Sequence, residues 1–235
     1  VETVWIGLVV YMNIYTVKWG DKYVASHVNQ LLDSCKQHLS CEFQFHCITE
    51  NPEGISEEVN IIPIPENNRL EKWWNKMYLF DDLLVTQKGE KMFFDLDVII
   101  QKNIDVIAEF DPEDCLCFVK TWWHDLDTSH KNTRHIPHKY TDLNSSVLRW
   151  NDTLDTRAIK DYFNKYKKQI LWYYRGLDNF FYNRRVVKQK LFPIGWVYSF
   201  NQGYLFPQDI EKHVFREMPY ICIFDSMGKS EDVKF

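Results

Sequence analysis

The chain has 235 residues, 45% hydrophobic and 26% charged, with a formal net charge of -5. That is enough chain for one large domain with a substantial core, and the composition is that of an ordinary soluble globular protein. The negative balance argues against a general nucleic-acid binder, because phosphate binding rests on Lys and Arg, and no apolar stretch approaches the ~20 residues that span a bilayer. Val1 to Val10 lacks the basic start and cleavage site of a signal peptide, so a cytoplasmic protein is expected.

In chain order, Val4 to Tyr11 is a continuous apolar run, the pattern of a buried parallel strand. A polar turn separates it from a helix marked by Val24, Val28, Leu31, Leu32, Cys35 and Leu39. Phe43 to Cys47 alternates as a strand does, so the first third reads β-α-β and implies a right-handed crossover in a parallel sheet. Asn60 to Pro65 is a short strand limited by its prolines. Trp73, Met77, Phe80 and Leu84 mark a helix that leads into a strand at Met92 to Phe94. Asp105 to Phe110 reads as helix and Cys115 to Val119 as strand. Lys120 to Leu143 has no clear period and reads as a long loop, a class usually tied to function or mobility. Asp155 to Tyr174 is a helix with Ile159, Phe163, Tyr166 and Ile170 inward and a lysine-rich solvated outer face. With no repeat and no linker, residues 1–235 are expected to form a single domain.

Six cysteines, Cys35, Cys41, Cys47, Cys115, Cys117 and Cys222, form no CxxC pair and are expected as buried, reduced thiols. His124, His130, His135 and His138 match no common zinc spacing. Nine Trp in a chain that is 16% aromatic raise a carbohydrate ligand without deciding it, since most rings are core. Trp122 and Trp123 can stack a sugar or anchor their loop.

The strongest chemical signal is Asp95 and Asp97 in the run Met92 to Ile100. On an extended strand, positions two apart face one side. Two adjacent carboxylates need a cation, a proton or hydrogen-bond donors to offset them, and hard oxygens suit Mg²⁺ or Mn²⁺. The bland alternative is a pair of solvated aspartates in the turn after a strand, and the tripeptide alone does not decide. A haloacid dehalogenase-like phosphatase with Asp95 as nucleophile is a further reading. That family wants its motif on the first strand, with Thr or Val where Ile99 stands.

Several blocks in shared order resemble small bacterial and viral GT-A glycosyltransferases, distantly similar to glycosyltransferase family 8. They are Val17-Lys18-Trp19-Gly20-Asp21-Lys22-Tyr23, Val28-Asn29-Gln30-Leu31, Trp73-Trp74-Asn75-Lys76-Met77-Tyr78-Leu79-Phe80, Asp95-Leu96-Asp97, Asn144-Ser145-Ser146-Val147-Leu148-Arg149-Trp150 and Phe192-Pro193-Ile194-Gly195-Trp196-Val197. Two departures stand out. The C-terminal FHGxPKP pattern, whose His is a metal ligand in related enzymes, is replaced by Ile223-Phe224-Asp225-Ser226-Met227-Gly228-Lys229, and the GDQ block is blurred into Arg175-Gly176-Leu177-Asp178-Asn179.

The resemblance implies an α/β GT-A domain, with a mostly parallel Rossmann-like sheet flanked by helices and the donor site at the strands' carboxyl ends. It implies metal-dependent transfer of a hexose from a nucleoside diphosphate sugar, with a UDP-sugar expected, to a glycan or other hydroxyl acceptor. Implied donor-binding residues are Val10, Tyr11, Lys18, Trp19, Tyr23, Lys76, Asp95, Leu96, Asp97, Asn144, Ser145 and Lys229. Asp95, Asp97 and Asp225 are the implied Mn²⁺ or Mg²⁺ ligands, and Asp178 and Lys76 the catalytic candidates. The alternatives are a non-catalytic carbohydrate-binding protein and the DxD phosphatase. Lys120 to Leu143, directly before the Asn144 block, is expected to close over bound donor.

Overall fold

Strand β1 (Met12–Lys18) is buried at all seven positions, as a central strand covered on both faces must be. The computed structural model describes residues 11–66, 70–125, 140–200 and 219–224, with 124 and 125 as backbone only. Most of the expected first strand, Val4 to Val10, lies outside these residues, and Tyr11 is exposed just ahead of β1. The polar residues that make 12–18 read as a turn are satisfied inside the fold. Asn13 Nδ2 donates to the Lys88 carbonyl at 2.9 Å and Thr16 Oγ1 to the Phe94 carbonyl at 2.9 Å. Met12 and Ile14 enter one core while Tyr15 and Val17 enter the other, the alternation a strand imposes.

Helix α1 (Ala25–His38) buries Val28, Leu31, Leu32 and Cys35 and returns the chain to β2 (Phe43–Thr49), parallel to β1 along its length. Strand β3 (Val59–Pro63) pairs parallel with β2. The predicted helix around Met77 is instead a 3-10 segment, Lys72–Phe80. Its buried Trp74, Met77 and Phe80 recur every third residue, the 3-10 period, so Trp73 is turned outward and is 42% exposed. Strand β4 (Glu90–Phe94) pairs parallel with β1 and is followed by β5 (Val98–Ile100), the short helix α2 (Asp105–Ala108) and β6 (Leu116–Lys120).

Strand β7 (Leu143–Trp150) runs antiparallel to both β4 and β6. Next come α3 (Thr156–Tyr173), α4 (Leu177–Arg184), β8 (Gln189–Leu191), β9 (Val197–Ser199) and β10 (Ile221–Ile223). The main sheet has the order β3-β2-β1-β4-β7-β6-β8, and a smaller sheet has the order β5-β10-β9. Helix α3 starts at Asp155, whose Oδ1 accepts from the Ala158 N–H at 3.0 Å, a standard N-cap. Ile159, Phe163 and Ile170 are buried as expected, but Tyr166 is not. Its backbone leaves helical geometry (φ -116°, ψ 19°) and the kink turns the ring out. Among the described residues no helix is long and apolar enough to cross a membrane.

His46 on β2 is 1% exposed and stacks on Tyr15 with ring centroids 4.8 Å apart. Neither ring nitrogen has a hydrogen-bond partner among the described residues, and burial pushes its pKa down to about 4 from 6.5. The unfolded chain therefore takes up a proton near pH 6.5 that the folded protein refuses until about pH 4. Stability from this residue is full above pH 6.5 and is lost as pH falls toward 4, by at most about 3 kcal/mol. His46→Phe keeps the stack and removes the titration. Urea midpoints measured from pH 7 to pH 4 are expected to fall less steeply in the variant, and parallel curves would show that His46 does not carry the acid sensitivity.

Candidate active site

The carboxyl end of β4 runs into a turn at residues 95–97 before β5. Asp95 and Asp97 sit in that turn and not on the strand, so strand alternation is not what aligns them. The turn is held from both sides, because the Asp95 N–H donates to the Ser146 carbonyl at 2.9 Å and the Asp97 carbonyl accepts from the Phe224 N–H at 2.8 Å. Leu96, 7% exposed, anchors it in the core.

Both carboxylates face a cleft of about 410 Å³, within the range of small-molecule sites. Trp19, Lys22 and Tyr23 enter it after β1, Trp73 and Lys76 from the 3-10 segment, Ser145 and Ser146 from β7, and Arg175 to Asn179 from the start of α4. Trp73 and Lys76 share a wall because three residues close one 3-10 turn.

Lys76 is the centre of the cleft's polar network. Its Nζ lies 2.5 Å from Asp95 Oδ2 and 3.2 Å from Ser145 Oγ. Ser145 N–H in turn donates to Asp178 Oδ1 at 3.0 Å. The Lys76 and Asp95 side chains are only 12% and 21% exposed, so the pair is not a screened surface bridge. Burial disfavours the ammonium, yet Asp95, Asp178 and Asp97 outweigh it and hold Lys76 above the usual lysine range. For Asp178 burial prevails, and its carboxyl stands above the usual range despite Lys76 and the Ser145 N–H. The Tyr23 hydroxyl donates to Asp97 Oδ2 at 3.3 Å. Burial, then Asp97 and Asp95, push that phenol up, so it stays a donor.

The Trp73 indole N–H donates to the Arg175 carbonyl at 3.0 Å. A Cβ at Gly176 would lie 3.0 Å from that nitrogen, so glycine leaves the room in which the indole seats.

Of the residues the sequence singles out, Trp19, Tyr23, Lys76, Asp95, Leu96, Asp97, Ser145 and Asp178 line this one cleft. Three others do not. Tyr11 stands at the amino end of β1, a seven-residue strand and about 20 Å from the carboxyl ends. Its assignment to the site is corrected, because the strand starts one residue after it. Lys18 is buried with Nζ on the Asn51 carbonyl at 3.1 Å, so its cation is used within the fold. Asn144 Oδ1 accepts from the Ser146 N–H at 2.8 Å and shapes the start of β7 without lining the cleft. Val10, Asp225 and Lys229 lie outside the described residues, as do most of the expected lid and its histidines. Trp122 and Trp123 are buried, Trp122 Nε1 donating to the Val197 carbonyl at 3.0 Å, which is the anchoring alternative. The six cysteines are free thiols, five of them buried. Thr141 also lines the cleft, as do Lys22, Ser146, Arg175 and Asn179, which stand in the motif blocks but were not among the implied donor-binding residues. The three-residue repeat of Trp74, Met77 and Phe80 is the signal that would have placed Trp73 beside Lys76.

This sheet order, with one reversed strand and a cleft at the carboxyl ends, is the GT-A fold of glycosyltransferases. The galactosyltransferase LgtC, solved in complex with donor and acceptor sugar analogues, superposes with a TM-score of 0.65 at 14% identity, over 92% of this chain and 88% of that one. Apo GlyE, a glycosyltransferase of Streptococcus pneumoniae TIGR4, gives 0.63 at 11% identity over 92% of this chain and 55% of its own. The apo form of the bifunctional glycosyltransferase WbbM gives 0.63 at 8% identity over 95% and 47%. No family profile matches the sequence, and no curated protein matches it. At these identities the likeness is one of fold.

Lys76→Met is expected to leave Asp95 and Asp178 without their cation and to destabilise the protein by about 1–3 kcal/mol at pH 7. The loss should shrink as pH falls and the stranded carboxylates protonate. Urea unfolding of both proteins at pH 7 and pH 4 measures it, and an equal loss at both values would count against the charge network.

Proposed function

We propose that the chain is a glycosyltransferase that moves a hexose from a nucleoside diphosphate sugar, a UDP-sugar first among them, to a hydroxyl of a glycan or other acceptor. The observation that carries this reading is the linked set Asp95, Lys76, Ser145 and Asp178 beside Asp97 in one cleft at the strand ends. The solved glycosyltransferases that share the fold support it.

Among the described residues no three His, Cys, Asp or Glu side chains converge on one point. Asp97, with Asp95 beside it, nevertheless fits the mode in which one or two carboxylates and the phosphates of a substrate hold Mg²⁺ or Mn²⁺. When bound there, such an ion supplies Lewis acidity to the departing diphosphate. Lys76 places a fixed ammonium where the leaving group gains charge, an interaction that strengthens toward the transition state. Asp178, half-buried and raised above the usual carboxylate range, is suited to take the proton of an attacking hydroxyl on an inverting route. On a retaining route it holds the donor sugar.

A second recess of about 310 Å³ shares Trp19 with the cleft and includes Gly20, Glu50 and Asn75. Glu50 Oε1 accepts from the Gly20 N–H at 2.6 Å, while Oε2 has no hydrogen-bond partner among the described residues. A base stacked on Trp19 can donate an N–H to Glu50, and the uracil N3–H is one such donor. The phosphatase reading is weaker, because Asp95 follows β4 and not the first strand of the sheet.

Thermal unfolding with a panel of nucleoside diphosphate sugars, with and without Mn²⁺, tests the proposal. A true donor at 100-fold over its Kd adds about 2.7 kcal/mol, and Asp97→Ala is expected to lose the Mn²⁺-dependent part with the fold intact. Undiminished Mn²⁺-dependent binding by that variant would sink the metal assignment.

Asp178→Asn is expected to slow sugar transfer by about 10²-fold or more on an inverting route while donor Kd changes little. Assay of both constants, with the anomeric configuration of the product, decides whether Asp178 acts as base. A rate equal to wild type would remove it from the chemistry.

A further inference from the structure

The carboxyl-terminal half of α3 does not behave as the merely solvated face its lysines suggest. Trp172 is 85% exposed, and Leu171, Tyr173 and Tyr166 are each more than a third exposed beside it. Between Tyr162 and Leu177 the chain carries Lys165, Lys167, Lys168 and Arg175 and no Asp or Glu, within a protein whose net charge is -5. Lys165, Lys168 and Trp172 recur at helical spacing, and all three are exposed. The kink that turns Tyr166 outward also brings the Lys165 ammonium 5.2 Å from its ring centre. The patch continues onto the 3-10 segment, since Trp73, half-exposed, is tied to the Arg175 carbonyl.

A lone exposed Trp needs no explanation, but exposed Trp and Tyr interleaved with cations, with Asp161 the nearest carboxylate on the same helical stripe, match the composition of a surface that meets lipid headgroups. Rings of this kind sit at the boundary between headgroups and acyl chains, and each nearby Lys or Arg is drawn to anionic lipid. A neutral glycan would use the rings without drawing on the positive charge around them. We propose that this end of α3 docks the protein on an anionic membrane surface, as a peripheral and reversible contact. Because Arg175 and Gly176 belong to the cleft wall, docking sets the mouth of the cleft beside the headgroup layer.

The test is co-sedimentation of the full chain with vesicles of phosphatidylcholine alone and of phosphatidylcholine with phosphatidylglycerol, at low and high salt. Binding is expected only with the anionic vesicles and is expected to weaken in salt. Lys165→Glu with Lys168→Glu should reduce it by about 25-fold or more, at about fivefold for each lysine lost. Trp172→Ala should weaken binding to anionic vesicles in low and high salt alike, whereas the lysine variant loses mainly the salt-sensitive part. None of these residues lines the cleft, so donor binding should be unchanged in each variant and serves as the check of fold. Failure to sediment with anionic vesicles would overturn the proposal. So would variants that bind as wild type, or a Trp172-dependent dimer in sedimentation velocity without lipid, which would make the patch an interface between copies.

Discussion

An ammonium group taken out of water must find anions and hydrogen-bond acceptors or lose its charge, and the architecture around the cleft answers that demand for Lys76. Its ammonium donates to Asp95 in the turn after β4 and to Ser145 at the start of β7, while Asp178 at the start of α4, which accepts from the Ser145 N–H, adds its charge. None is near Lys76 in sequence. The cation therefore ties together the elements that form the cleft. Burial raises the Asp178 carboxyl even with Lys76 beside it.

The reversal of β7 makes this network possible. Antiparallel to β4, it delivers its first residues, Ser145 and Ser146, to the end where β4 delivers Asp95 and Asp97. Its last residues go to the opposite end and do structural work. Arg149 is 2% exposed, pairs with Glu90 and donates to the Ala108 carbonyl at 3.0 Å and the Trp150 carbonyl at 2.8 Å. One contiguous block, Asn144 to Trp150, thus divides into a cleft end and a core end. An all-parallel sheet would have put Arg149 at the site and the serines far from it.

The 3-10 geometry of Lys72–Phe80 has a similar consequence. A three-residue repeat sends Trp74, Met77 and Phe80 to the core and leaves Trp73 and Lys76 together on the other side. Trp73 is then fixed by its hydrogen bond to the Arg175 carbonyl, with Gly176 providing the space. The rim of the cleft and the aromatic, basic end of α3 thereby become one continuous surface.

Composition and hydrophobic period were sufficient for the α/β class and for most strands and helices, because these depend on local pattern, whereas Asp95, Asp97, Lys76, Ser145 and Asp178 were brought together by the resemblance in motif order and line one cleft. Where β1 begins was not legible: Asn13 and Thr16 look like turn residues until the carbonyls of Lys88 and Phe94 are brought to them. Nor was the turn that carries the two aspartates, since an apolar run with a carboxylate pair reads equally as strand or as strand end. The outward Tyr166, the internal use of Lys18 and the remoteness of Tyr11 were likewise decided only by the tertiary structure. Each depends on partners distant in sequence, and hydrogen bonding and burial are satisfied in three dimensions, where a one-dimensional period carries no information about which segments meet.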